Sequence, residues 1–207
     1  MAQNSSRDRL NHLLELAAEG PAGRAALLGD LADLLLDWPQ DYAQAMRAPF
    51  EALLEKTARE ADAAARAALA ERIAADGALP TDLLNEIFFD ASREARARIL
   101  KRNAALDGEA APLGVDSHAL VAAARRALNG GFARIFAEAL SLPRATAERI
   151  LADPECLAIA CKGAGLDRAA YSAIALLSAG ALADFEAIPE AGARRLSQFW
   201  QTRTQGP

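Results

Sequence analysis

The chain is almost without valine. Val115 and Val121 are the only two among 207 residues, against 53 alanines. β-Branched residues favour strands, and alanine is the strongest helix former. No stretch alternates β-branched or aromatic residues with polar ones. These absences argue against a sheet protein and predict an all-α one. Aromatics are scarce at 5%, so the expected core is leucine and alanine.

The residues that carry most catalysis and metal binding are also few. Histidine occurs twice, at His12 and His118, and cysteine twice, at Cys156 and Cys161. Neither histidine sits in a Cys/His/carboxylate string of metal-ligand spacing. Five residues apart on a helix, the cysteines point about 140° apart and cannot bridge there. Two buried thiols in a reducing compartment is the simple reading. Asp116-Ser117-His118 has the residue types of a catalytic triad. Triad members meet through the fold rather than along the chain, so the string reads as a helix start. No GxGxxG or P-loop string is present. The sequence therefore predicts no catalytic residue, no metal and no cofactor.

Long apolar runs are missing too. The longest, Ala173 to Ala183, is broken by Ser178 and Gly180, and a membrane span needs ~20 residues. The opening MAQNSSRDRL is polar and lacks the apolar centre of a secretory signal. The expected location is cytoplasmic, with no membrane contact.

What is present is an ordinary globular composition, 52% hydrophobic and 25% charged. The net charge of −5 is unevenly spread. Residues 1–89 carry 8 basic and 15 acidic side chains, residues 90–149 carry 10 and 7, and residues 150–207 carry 5 and 6. An acidic N-terminal part repels a phosphate backbone.

Apolar residues recur at three- and four-residue spacing between glycine and proline marks, giving ten to twelve expected helices. Asp41 is expected to start a helix through Met46 to Arg59, with a kink or a break at Pro49. Thr81-Asp82 is expected to cap Leu83 to Phe89. Asp116-Ser117 should cap a helix reaching Leu128, and Asp167 one from Tyr171 to Leu182. Asn129-Gly130-Gly131 and Gly163 to Leu166 read as helix ends. Phe88, Phe89, Phe132, Phe136, Tyr171 and Phe185 fall at core positions, and Phe199-Trp200 is expected to dock the last helix.

Three stretches overlay: LLELAAEGPAGRAALLGDLADLL from Leu13, LLEKTAREADAAARAALAERIAA from Leu53, and LLNEIFFDASREARARILKRNAA from Leu83. Each opens with a leucine pair and a short helix, then a polar corner, then an arginine at the start of a second helix. The arginines are Arg24, Arg66 and Arg96. An apolar residue follows at +3 (Leu27, Leu69, Ile99) and alanine at +8 (Ala32, Ala74, Ala104). Helix pairs of this kind bury their apolar faces by stacking on their neighbours. The arginines read as structural, with Asp62 placed i, i+4 from Arg66 or a neighbouring corner supplying the partner.

The pieces DAAARAALAERIA and SREARARILKRNA resemble HEAT-type helical repeats, with Ala65 and Ala95 where the repeat usually has valine. Residues 136–177, with AERILADP and AIACKGAGLDRA, resemble the C-terminal part of a helical family found mostly in alphaproteobacteria and without an established activity. The resemblance implies a HEAT-like stack (a right-handed superhelix) closed by a C-terminal helical bundle. The implied division is repeats over residues 1–107 and bundle over 115–207, as two domains or one continuous one. It transfers no catalytic motif.

Two surface features remain. Arg93, Arg96, Arg98, Lys101 and Arg102 fall within ten residues, and Arg125-Arg126 follows on the next helix. Arg93, Arg98, Lys101, Arg102, Arg125 and Arg126 are the candidate partner-binding residues, against the plainer reading of a solvated helix face. FAEALSLPRATAERIL, residues 136–151, has the outline of a DNA-reading helix-turn-helix, with Ala137, Leu142, Thr146 and Ile150 at suitable spacing. Ser141 stands at the usual turn glycine, Pro143 opens the second helix, and Glu148 sits among the arginines. The leading expectation is a non-enzymatic protein–protein interaction or regulatory adaptor, with self-association open. A DNA-binding regulator comes second, nucleic acid being disfavoured by charge. An enzyme on a helical-repeat scaffold, such as a base glycosylase, comes last.

Overall fold

The computed structural model describes residues 2–20, 23–39, 42–74, 79–108, 110–111, 113–126, 131–178 and 180–202. Among these residues the chain is all-helical, with twelve α-helices, two 3-10 turns and no strand. It divides into two compact units, Met1–Ile99 and Leu100–Pro207. The division falls inside a helix, whereas the sequence placed it in the glycine-containing stretch between residues 107 and 115.

The first unit holds α1 (Ala2–Ala18), α2 (Arg24–Leu36), α3 (Arg47–Glu60), α4 (Ala63–Ile73), α5 (Thr81–Glu86) and the start of α6 (Arg93–Ala105). α2 is its centre. Leu27, Leu28, Leu31, Ala32, Leu34 and Leu35 are all buried, and α2 packs on α1, α3 and α4. These residues form one broad face of about 160° at ~100° per residue. Ala25, Ala26, Asp30 and Asp33 lie on the other face, so α2 is amphipathic and its apolar side is covered by its neighbours. His12 reaches across from α1, its Nε2 3.1 Å from Asp30 Oδ2.

Several helix limits differ from expectation. Pro49 is the third residue of α3, where a missing N–H has no intrahelical partner to lose, so the helix runs through it without a break. The break lies earlier, at the 3-10 turn Gln44–Met46. Asp41 lies outside the described residues. Thr81 and Asp82 are inside the first turn of α5, after Pro80. That helix stops at Glu86, and Phe88–Asp90 forms a separate 3-10 turn.

The second unit holds the rest of α6, then α7 (Ser117–Arg126), α8 (Phe132–Leu140), α9 (Arg144–Ala152), α10 (Pro154–Gly163), α11 (Arg168–Ser178) and α12 (Glu190–Thr202). Its centre is α10, where Cys156 to Cys161 are all fully buried. α10 packs on α9, α11 and α12. Asp153 caps it, accepting from the Glu155 and Cys156 amides at 2.9 and 3.1 Å, and Pro154 takes the first helical position. Asp116 and Asp167 cap α7 and α11 through the Ala119 and Ala170 amides, at 3.0 and 2.8 Å. α11 ends at Ser178, four residues before the expected Leu182. Leu128 and Asn129-Gly130 lie outside the described residues.

Small residues set the approach of α12 to α10. A Cβ on Gly163 would collide with Ser197 Oγ and the Ala193 carbonyl. Trp200 is buried and Phe199 half-buried, so the last helix is docked. Phe88, Phe132, Phe136, Tyr171 and Phe185 are buried; Phe89 is half-buried.

Candidate functional site

The arginines at the corners serve the backbone. Helices end with carbonyls that have no intrahelical donor, and these ends carry partial negative charge. Arg24 Nη1 donates to the Glu60 carbonyl at 2.9 Å. Arg66 Nη1 donates to the Ala61 carbonyl at 2.5 Å, and its Nε to Asp90 Oδ2 at 2.6 Å. Arg96 Nε and Nη2 donate to the Phe88 and Phe89 carbonyls at 3.1 and 2.7 Å. Two guanidiniums thus fasten the end of α3, and a third fastens the turn after α5.

Asp62 is not the partner of Arg66. It is the N-cap of α4, accepting from the Ala65 amide at 2.8 Å. A cap must point along its own helix axis, so Arg66 turns to the next corner, Asp90. Ser92 caps α6 in the same way, taking the Ala95 amide at 3.2 Å. Arg66 and Arg96 each stand fourth in their helices, while Arg24 stands first. The first copy is therefore out of register with the other two.

The basic cluster divides between the two units. Arg93 and Arg98 are exposed in the first; Lys101, Arg125 and Arg126 are exposed in the second; Arg102 is half-buried. Arg96 is withdrawn into its corner. Arg126 Nε folds back on the Ala122 carbonyl of its own helix, at 3.2 Å.

The corner between α8 and α9 is built as a helix end. Ser141 takes left-handed backbone, φ 53°. Its amide donates to the Glu138 carbonyl at 3.2 Å, and the Leu142 amide to the Ala137 carbonyl at 2.8 Å. These are the paired bonds of a Schellman end with an apolar residue just beyond. Gly165 ends α10 identically, with φ 81° and Leu166 donating to the Cys161 carbonyl. Pro143 precedes α9 as its N-cap, and the helix starts at Arg144. Beside this corner lies a groove of about 850 Å³ lined by Leu113, Arg134, Ser141, Leu142, Arg144 and Gln201, among others. Its arginines are matched by acids: Arg134 bonds Glu138 at 2.7 Å and Arg144 bonds Glu148 at 2.8 Å.

A second groove, of about 440 Å³, runs between α7 and α11. Val121, Ala122, Ala169, Ala170 and Ala173 give it an apolar floor, with His118, Arg125 and Asp167 also lining it. Continuing the α11 stripe, Leu176 is 63% exposed and Leu177 40%; Leu182 just beyond is 55% exposed. The backbone under Leu182 is anchored. The Ala183 amide donates to Tyr171 Oη at 2.6 Å. The Tyr171 ring stacks on Phe185 at 5.0 Å, and Lys162 Nζ donates to the Phe185 carbonyl at 2.8 Å. Burial raises the Tyr171 phenol above its usual range. The exposed leucines were not picked out from the sequence, because Leu176 and Leu177 fit a core stripe equally well.

Cys156 and Cys161 are free and fully buried, and burial pushes the Cys161 thiol up to about 12. Among the described residues no group of three or more His, Cys, Asp or Glu side chains is placed to hold a metal, and no helix is long and apolar enough to cross a membrane. Comparison with models of known families, with curated proteins and with solved structures finds no match to this chain.

Proposed function

We propose that the chain is a non-enzymatic protein interaction or adaptor module, built from HEAT-like helical hairpins in its N-terminal unit and a helical bundle in its C-terminal unit. The observation that carries the reading is the apolar surface of α11 and the segment after it. Leu176, Leu177 and Leu182 stand in water on an anchored backbone. Three large apolar side chains close in sequence are the kind of surface that partners cover. The polar chemistry of the chain points the same way. Its best-placed arginines and aspartates are engaged in fastening carbonyls and capping helices, which is scaffold work.

The repeat reading rests on Arg66 and Arg96, which occupy the same helix position and each bind the corner just before their own helix. HEAT-like stacks offer extended surfaces to other proteins. The test is capture from native lysate with the full chain, beside sedimentation of the purified protein. A stoichiometric partner, or a self-associated species, lost in the Leu176→Glu/Leu182→Glu variant is the expected result. A monodisperse monomer with no stoichiometric partner overturns the reading.

The α8–α9 corner keeps a DNA-reading role as the second reading. The paired glutamates at 138 and 148 weaken its pull on phosphate. A gel shift on random duplex at low salt tests it, and salt-dependent binding would bring it forward.

A further inference from the structure

We infer that the groove between α7 and α11 docks an amphipathic helix of another protein, whose apolar stripe lies on the alanines and whose acidic end meets Arg125 and Arg126. The inference rests on the interaction reading above and specifies its partner.

Four features of the groove carry it. Its floor is made of small side chains, Ala122, Ala169, Ala170 and Ala173, with Val121 beside them. Alanines let a third helix approach closely and seat its ridge between two others. On α7 the lining residues His118, Val121, Ala122 and Arg125 recur at helical spacing, as do Ala169, Ala173, Leu176 and Leu177 on α11. The groove therefore follows two helix faces for about two turns, which suits a helical occupant. Beyond the alanines, Leu176 and Leu177 extend the apolar surface by a turn. The occupant is a helix rather than a strand because no described residue forms a strand edge to extend.

Charge chooses the partner. The Asp167 carboxylate is already engaged, capping α11 through the Ala170 amide at 2.8 Å. Arg125 and Arg126 are exposed and form no ion pair among the described residues. Both stand in the last turn of α7, where the helix end favours a cation without a carboxylate beside it. Their charge is left to meet acids on the incoming helix. Such complementarity fixes orientation and speeds encounter.

The test uses the full chain as bait for a displayed library of helices of about 20 residues, with a fixed Leu/Ala stripe and all other positions random. Winning sequences are resynthesised and titrated by fluorescence anisotropy. The expected winners carry Asp or Glu at one end of the stripe. They lose about tenfold or more in affinity on Arg125→Glu and on Ala173→Trp, with thermal midpoint and circular dichroism unchanged. Selection on the Arg125→Glu/Arg126→Glu chain should instead return Lys or Arg at that end, a result that a general loss of folding cannot produce. Winners indifferent to both Ala173→Trp and Arg125→Glu overturn the groove while leaving the interaction reading intact. Dimers that dissociate on Leu176→Asp, with no acidic winners, overturn it in favour of a second copy as occupant. No winners at all removes the groove, and lysate capture then decides the broader reading by itself.

Discussion

Each unit is organised around one central helix, α2 buried along one face and α10 on nearly all sides, and the two helices are made of different material. α2 in the first unit is lined by Leu27, Leu28, Leu31, Leu34 and Leu35. α10 in the second reads Cys156-Leu157-Ala158-Ile159-Ala160-Cys161 and ends on Gly163. Leucines hold neighbouring helices apart, and the distance between helix axes follows the side chains at the contact. The first unit then closes its corners with long guanidinium side chains reaching backbone carbonyls. The second brings α12 against α10 until Gly163 has no room for a methyl group. Its arginines work elsewhere: Arg195 on α12 holds the Asp107 carbonyl, at 2.8 Å, of the loop after α6. The first unit has a tight glycine as well, Gly23 against the Leu16 carbonyl before α2, but it fastens its corners with polar groups. The second unit depends on close apolar contact.

Tryptophan makes the comparison measurable. Trp38 lies in the first unit, in edge contact with Tyr42 at 5.4 Å and Phe50 at 5.8 Å; Trp200 is buried in the second. Trp38→Phe and Trp200→Phe chains each leave one reporter for denaturant titration.

The largest difference is expected at two helix glycines, Gly163 buried in α10 and Gly29 half-buried in α2. Gly163→Ala drives a methyl group into the Ala193 backbone, and should cost about 3 kcal/mol at the Trp200 transition. Gly29→Ala in α2 meets only the movable tip of Arg72 and should leave stability unchanged or raise it by up to about 1 kcal/mol at Trp38. Equal losses at the two sites would break the comparison. Next comes Arg66→Met, which keeps much of the stem but strips two hydrogen bonds, one of them charge-assisted and made to the mostly buried Asp90 carboxylate. About 2 kcal/mol should be lost at Trp38. Arg66→Lys should not restore it, because one ammonium cannot reproduce the planar fork.

A third effect is confined to alkaline pH. The Cys161 thiol rises from 9.0 to about 12 in the fold because burial opposes the thiolate. The folded chain therefore keeps a proton that the unfolded chain gives up. Stability from this group is whole below pH 9 and falls as pH climbs towards 12, by at most about 1.4 kcal/mol per unit. Trp200 should show that slope, and Cys161→Ala should flatten it. Tyr171, shifted in the same direction by burial, adds to the slope. The smallest expected change is a gain. Ser141→Gly relieves left-handed backbone at a residue with a side chain, and should stabilise the second unit by about 1 kcal/mol. No gain in the denaturation midpoint would mean that Ser141 makes a compensating contact.

The parts legible in the sequence were those set by local chemistry. Asp116 and Asp167 could be read as caps because a short acceptor before an apolar run has one good use. The arginine positions of the overlaid copies could be read from spacing. The partners of Arg66 and Arg96 could not, since Asp90 and the Phe88 and Phe89 carbonyls come within reach only once the corners fold. The groove was hidden for a similar reason. Ala122, Ala169 and Ala173 have the spacing of core residues, and nothing in a single helix says which of its apolar stripes lacks a neighbour. The basic cluster was legible as composition alone: Arg96 fastens its corner, in keeping with its repeat position, and Arg93 and Arg125 belong to different units.

By itself the sequence determined that this protein is helical, through its wealth of alanine and near absence of valine, and where many of its helices begin. Those are short-range matters of propensity and capping. Which helix lies at the centre of each unit, which carbonyl each arginine takes and which apolar stripe stays in water were decided by tertiary packing. Burial depends on neighbours that the chain supplies from dozens of residues away, and the energy of a buried contact depends on whether two surfaces can meet without a collision.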